Sequence, residues 1–251
     1  MFKKLCFVFF IILSLNVSGQ ENKWFFSLNM GKTFPQGAFA ENPLNSLNTG
    51  FAQNGFALSL ESNYAINDNL SMKGTVLLNT NTINRLPLWT NLNNRMNRFF
   101  PVETKDQEFI SLTVNPWVAN SVLVGPDYAF IFNNLKLSFY ATGGLSMVYL
   151  PQTKLIYQNP ANNWMYINQN TNSVDFNLGF STGASLRYPV SERFDFCLGF
   201  NYFNTKCTEN FEELKITKAQ STTTTEQLNT GKSSVPVSVI SATLGLVYYL
   251  K

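Results

Sequence analysis

Apolar and polar residues alternate with period two over most of the chain, the pattern of strands whose two faces meet different surroundings. Near the start, Trp24, Phe26, Leu28 and Met30 form one row, with Ser27, Asn29 and Gly31 between them. "FALSLESNYAI" then sets Phe56, Leu58, Leu60, Tyr64 and Ile66 against Ala57, Ser59, Glu61 and Asn63. Leu70, Met72, Val76 and Leu78 follow, opposite Ser71, Lys73 and Thr75. A long fourth segment keeps one parity from Ile110 to Phe130, and Pro116 and Pro126 predict a bulge or break within it. The same alternation runs through 135–149, 174–188 and 194–202. It closes in "VSVISATLGLVYYLK", where Ile240, Ala242, Leu244, Leu246, Tyr248 and Leu250 share one face.

These eight strands are joined in a rhythm. Short connections at 67–69, 133–134 and 189–192 alternate with long ones at 33–54, 84–107, 151–172 and 205–235. Strict alternation puts both chain ends on the side of the short turns. The pattern predicts an all-β protein, an eight-stranded antiparallel up-and-down transmembrane β-barrel with short periplasmic turns and four long extracellular loops. A soluble β-sandwich or lipocalin-like barrel also alternates but hides its apolar row inside. The other row discriminates. It is rich in Gly31, Gly125, Gly144, Gly179, Gly183, Gly199 and Gly245 together with Ser, Thr and Asn, where a water-facing surface would carry Lys and Glu. Small polar residues suit the crowded lumen of an eight-stranded barrel, so the large apolar residues face lipid. Trp24, Tyr64, Tyr128, Tyr188, Phe194 and Tyr248 all fall near the short-turn ends, as an interfacial aromatic girdle would.

Composition agrees with that reading. Hydrophobic residues reach 45% and aromatics 15%, while charged residues make up only 13%, about half the usual share of a soluble domain. No later apolar stretch is long enough for a transmembrane helix. Residues 1–20 read as a cleaved secretory signal peptide: Lys3 and Lys4, an apolar run from Leu5 to Leu15, then Ser18 and Gly19. Residues 21–251 form the barrel domain. Removing Lys3 and Lys4 from the 18 basic residues leaves 16 against 15 acidic ones, which gives no global attraction for nucleic acid. Cys197 and Cys207 remain. On one extended strand they would stand about 33 Å apart at about 3.3 Å per residue, too far for a bridge that needs Cα atoms within about 7 Å.

Six charges fall on the inward row near the short turns. Glu61, Asp127 and Asp195 balance Lys73, Lys136 and Arg187. Glu61 and Lys73 sit one diagonal apart about the 67–69 turn, and Arg187 and Asp195 flank the 189–192 turn so as to face each other across the hairpin. Such a network is either an ion path or a polar plug that holds the strands in register.

Catalytic chemistry is scarce. The chain has no His, which removes the common nucleophile–base pairs and the commonest metal ligand. There is no phosphate-binding Gly loop and no Cys-x-x-Cys, and the loop carboxylates are not spaced as an acid/base pair. No cofactor or metal is implied, and the chain reads as a non-enzyme. Specificity should lie in the long loops. "NRLPLWTNLNNRMNRFFPVE" offers Arg85, Arg95 and Arg98 beside Trp89 and Phe99 for contact with anionic lipopolysaccharide or a partner protein. Trp164 and Tyr166 add aromatic candidates in the third loop, and "QSTTTTEQLNTGKSS" predicts a polar, mobile tip in the fourth.

With the strands placed, "FSLNMGKTFPQGAF", "GFALSLESNYAINDNLSMKG" and "TLGLVYYLK" resemble the outer-membrane β-barrel family abundant in Bacteroidota-type bacteria. The resemblance covers essentially residues 21–251 and implies location in a bacterial outer membrane. It also implies an insertion signal in the last strand, read by the outer-membrane insertion machinery. Thr243, Gly245 and Tyr248 match it, and Leu250 stands where a final aromatic is usual. Members of the family serve as structural barrels, as binding proteins, or as accessory subunits of outer-membrane complexes. Two functions stay open on the sequence: a structural or interaction protein with a plugged lumen, and a narrow channel for small or apolar solutes.

Overall fold

The computed structural model describes residues 24–41, 49–99, 108–159, 164–171, 174–219 and 222–250. The signal-peptide reading of 1–20 lies outside them. Among the described residues are eleven strands: β1 (Trp24–Pro35), β2 (Ala52–Ala65), β3 (Leu70–Ile83), β4 (Glu108–Val114), β5 (Trp117–Phe132), β6 (Leu135–Tyr149), β7 (Thr153–Asn159), β8 (Trp164–Asn170), β9 (Val174–Pro189), β10 (Phe194–Ala219) and β11 (Thr222–Tyr249). A helix, α1 (Arg85–Phe99), and a 3-10 turn at Gly37–Phe39 complete the elements.

Every pairing is antiparallel, and eight strands close on themselves. The order runs β11-β1-β2-β3-β5-β6-β9-β10, and β10 pairs back onto β11. The closing seam sets Phe26 opposite Tyr248, Leu28 opposite Leu246 and Met30 opposite Leu244. No edge is left within the ring, which removes the pairing hazard of an open sheet.

Local chemistry makes the short turns. Asn67 Oδ1 accepts from the backbone amides of Asn69 and Leu70, at 3.0 and 2.7 Å, an Asx turn that reverses the chain without glycine. Asn133 takes a positive φ of 52° in the two-residue turn before β6, a conformation Asn tolerates better than most residues. Ser191 Oγ accepts from the amide of Phe194 at 3.2 Å in the third.

The strand parities divide the ring cleanly. Large apolar side chains on all eight strands are exposed on the outside, among them Leu28, Phe56, Val76, Val122, Leu145, Leu178 (77%), Phe200 and Leu246. Up to Lys206 on β10 and its partner Pro236 on β11, the outward parity carries charge only at Lys32 and Lys206, both toward the long-connection side; Glu212, Glu226 and Lys232 follow on the same parity where β10 and β11 run on into the extension. Cross-strand aromatic pairs mark the other rim: Trp24 with Tyr64 at 5.1 Å and Phe194 with Tyr248 at 5.2 Å between ring centroids.

The break expected at Pro116 is present: the fourth segment is interrupted at Asn115 and Pro116. Proline has no N–H for a central ladder, so the break falls there. Three features depart from the sequence reading. First, only the part after the break belongs to the ring: β5 enters it at Trp117 while β4 pairs with β7 elsewhere. Pro126 stays inside β5, where the ladder to β6 lapses at Gly125 and Pro126 but the ladder to β3 continues.

Second, the long connections hold regular structure. β10 and β11 run 26 and 28 residues, and the Thr-rich stretch expected to be a mobile tip is strand paired to Lys215–Ala219. Threonine favours the pleated backbone. The upper part of β10 also carries β8, then β7, then β4, so a sheet extension stands on the long-connection side.

Third, the interior is not polar throughout. Its long-connection half is an apolar plug of Phe39, Leu77, Trp117, Leu123, Val148, Phe203, Val235, Val237 and Val239, none more than 3% exposed.

Candidate functional site

Two places concentrate buried polar chemistry: the short-turn half of the lumen and the extension above the ring. In the lumen, Lys73 is buried and its Nζ lies 2.9 Å from Glu61 Oε2. Ser27 donates to the same carboxylate oxygen at 2.8 Å, and the ammonium sits 3.6 Å from the centroid of the Tyr140 ring. This ion pair spans the β2–β3 hairpin, with Asn63 opposite Lys73 and Thr75 opposite Glu61. Parity alone brings them to one diagonal.

Arg187 and Asp195 do not face each other as the symmetric count predicts. The register puts Cys197 opposite Arg187 and Pro189 opposite Asp195. Residues 190–193 form the turn, closed by hydrogen bonds from the amides of Val190 and Ser191 to the carbonyl of Phe194, so the two side chains stand one pleat apart. Arg187 reaches across β6 instead. It donates to Ser138 Oγ at 2.6 Å, lies 3.9 Å from Asp127 Oδ2, and covers the face of Phe25 at 4.7 Å. Asp195 accepts from the Tyr249 hydroxyl at 2.6 Å, and Lys136 Nζ lies 3.5 Å from that same hydroxyl. Tyr249 therefore joins an acid and a base that do not touch.

Between this network and the plug is a void of about 20 Å³, lined by Asn29, Glu61, Lys73, Thr75 and Tyr140 among others. That is room for one water. Above it lies the apolar cluster, on the same inward rows as buried Thr33, Asn79, Asn81 and Thr205. Cys197 and Cys207 are free, buried and inward-facing on β10.

The extension forms a second core. Helix α1 lays Leu88, Leu92 and Met96 against Phe51, Leu155, Tyr157, Trp164 and Tyr166. Tyr157 donates from its hydroxyl to Asn93 Oδ1 at 2.9 Å, fixing helix to sheet. Glu213 is fully buried there and accepts from the Tyr166 hydroxyl at 3.0 Å, Asn168 Nδ2 at 3.1 Å and Asn229 Nδ2 at 3.0 Å, among others. This carboxylate cluster escaped the sequence reading. Its only signal was an acid among apolar residues in "NFEELKI", with strand parity pointing it inward.

The predicted loop residues scatter. Trp164 and Tyr166 are 8% and 0% exposed and belong to the second core, so they are not outward contacts. Trp89 is half-buried against the same core, and Arg85 is exposed at the start of α1. Arg95, Arg98 and Phe99 lie on α1, and their side chains fall outside the described residues. On β11, Tyr248 points outward beside Phe194, and Gly245 faces inward so tightly that a Cβ would lie 2.0 Å from Asn29 Oδ1. Thr243 donates to the Gly199 carbonyl at 3.4 Å, and the Leu250 amide donates to Trp24.

No protein-family model matches the chain, and no curated protein matches it in sequence. Similar solved structures include those of several outer-membrane proteins. The attachment invasion locus protein Ail of Yersinia pestis is 12% identical, over 92% of this chain and 100% of its own, with a TM-score of 0.40. Neisserial surface protein A is 12% identical, over 91% and 97%, with a TM-score of 0.39. A major outer membrane protein of Thermus thermophilus is 13% identical, over 90% and 99%, with a TM-score of 0.41. Identities this low transfer no residue's role.

Proposed function

We propose that the chain is an integral outer-membrane β-barrel with a closed lumen, acting as a structural or interaction protein through the folded extension on its outer side, alone or as an accessory subunit of a larger complex. The observation that carries this reading is the outward face of the ring. Large apolar side chains stand exposed on all eight strands, and from the short turns up to the level of Lys206 the outward parity carries charge only at Lys32 and Lys206. A soluble monomer rarely exposes contiguous apolar patches beyond a few hundred Å², whereas a bilayer requires this arrangement of a closed sheet. Aromatic pairs at the short-turn rim fit one membrane interface.

In this reading residues 1–20 direct export, and the closing strand, through Thr243, Gly245, Tyr248 and Leu250, is what the insertion machinery engages. The short turns then face the periplasm. Lipid and lipopolysaccharide surround the band, with Lys32 and Lys206 placed to meet anionic headgroups. The extension, with Arg85 exposed on α1, is the surface offered to other outer-membrane proteins. Transport is disfavoured by the plug, and no nucleic-acid partner or catalytic role is assigned.

The test uses cells expressing the full chain. Fractionation with the outer membrane, heat-modifiable gel migration, and trimming of the extension by protease added outside intact cells are the expected results. Purified protein should be silent in planar bilayers. Discrete conductance steps would refute the closed lumen, and recovery in a soluble fraction would refute the membrane placement.

A further inference from the structure

The short-turn end of the ring is hollow. A cavity of about 930 Å³ opens there, within the size range of small-molecule sites. Phe25, Ile66, Leu70 and Ile131 give it apolar walls, and Lys136 and Arg187 supply its cations. These two residues are direct partners in the β6–β9 ladder and share its inward face. Like charges placed directly opposite across a ladder destabilise it.

Their counter-charges do not resolve the conflict. Arg187 reaches Asp127 only at 3.9 Å, and its buried Nε has no hydrogen-bond partner. Among the described residues no carboxylate comes within 4.0 Å of Lys136 Nζ; its nearest polar contact is the Tyr249 hydroxyl, already committed to Asp195. The remaining acid on the lining, Asp68, is exposed in the 67–69 turn. The cavity thus sets two cations, whose nearest carboxylate is Asp127 at 3.9 Å from Arg187, beside a lining shared between those apolar walls and the polar Asn67, Asp68, Asn69 and Ser71.

We propose that this cavity binds a carboxylate-headed amphiphile, its head between Lys136 and Arg187 and its hydrocarbon tail against Ile66, Leu70 and Ile131. A carboxylate there would offer oxygen acceptors to the lysine ammonium and to the Arg187 guanidinium together, converting a repulsive pair into a clamp.

The experiment is calorimetric titration of the full chain, folded and held in amphipol, with decanoate. Decanol, decyltrimethylammonium, acetate and inorganic phosphate are titrated in parallel. The expected result is saturable binding of one decanoate per chain, with each of the other four at least tenfold weaker. Lys136→Gln should weaken decanoate about tenfold while keeping heat-modifiable migration. Ile131→Ser, at the end of β5 beside the short turn, should weaken it severalfold and serves if the lysine variant does not fold. Equal binding of decanol would overturn the assignment of the head group, and equal binding of acetate or phosphate would overturn that of the tail. Unsaturable uptake, or wild-type affinity in both variants, would overturn the site itself. The titration is independent of which side of a membrane the cavity faces.

Discussion

Lys73→Met leaves Glu61 in the lumen with no cation. Only 2% of the Lys73 side chain and 12% of the Glu61 side chain are exposed, and their charged atoms are 2.9 Å apart. Removing one partner of a buried ion pair costs about 3–5 kcal/mol, because the survivor's desolvation goes uncompensated. Glu61 keeps the bond from Ser27, so the lower end, about 3 kcal/mol, applies to Lys73→Met. Glu61→Gln leaves the ammonium with the Tyr140 ring at 3.6 Å and the charge of the neighbouring Asp127 carboxylate, so about 3 kcal/mol is the corresponding figure. The double variant removes both charges and should cost under about 2 kcal/mol, since a pair replaced by neutral groups of similar size is often nearly neutral.

Urea titration of the vesicle-embedded protein reads this directly, with tryptophan fluorescence and heat-modifiable migration as independent probes. At a slope of about 1–3 kcal/mol per molar urea, each single variant should lower the midpoint by about 1–3 M, and the double variant should recover most of it. The reasoning fails if either single variant costs less than about 1 kcal/mol, which would mean water reaches the pair. It fails equally if the double variant costs the sum of the singles, which would mean the two charges are not coupled.

Phe203→Ala should destabilise by about 3–5 kcal/mol, because its ring is fully buried in the plug; an unchanged urea midpoint would show that the plug is loosely filled. Gly245→Leu should abolish the heat-modifiable folded species, since a Cβ there would stand 2.0 Å from Asn29 Oδ1 and 2.4 Å from the Leu28 carbonyl across the closing seam; normal assembly would contradict that geometry. In the extension, burial raises the Tyr157 phenol above its ordinary value of 10.0, only partly offset by a hydrogen bond with Trp89. A raised value in the folded state gives stability that is present below about pH 10 and lost as pH climbs through the folded value. Hydrogen exchange in α1 should therefore accelerate above about pH 10, and Tyr157→Phe should remove that step while costing about 1 kcal/mol at neutral pH.

Much of the ring was legible because parity is a local property. Each residue's face follows from its neighbours two positions away, and the short turns at 66–69, 133–134 and 190–193 tie adjacent strands by chemistry within a few residues. The Glu61–Lys73 diagonal came through for that reason. Parity does not report depth. Trp117 and Phe203 sit on the inward row, and so do Val235, Val237 and Val239. Averaging each inward row over its whole strand hid the fact that its apolar members share one height. Sorting the inward aromatic and β-branched residues by their distance from the short turns brings the plug out of the sequence itself.

Register across the long connections is a different matter, and the cavity depends on it. Strands β6 and β9 are separated in sequence by β7 and β8, so no turn fixes which residue meets which. Their alignment is imposed by closure of the ring: once β10 is locked to β11 and β11 to β1, β9 has no freedom to slide against β6. A slip of one residue would turn Arg187 and every outward Phe and Leu of β9 to the wrong face. A slip of two would move Lys136 off Arg187 but unpair the strand ends. The ring therefore keeps the two cations opposite each other at the cost of their repulsion, a cost that a bound anion would offset. That is why the like-charge pair is invisible to a count along the chain, and why neutralising Lys136 should stabilise the ligand-free protein slightly even as it weakens binding.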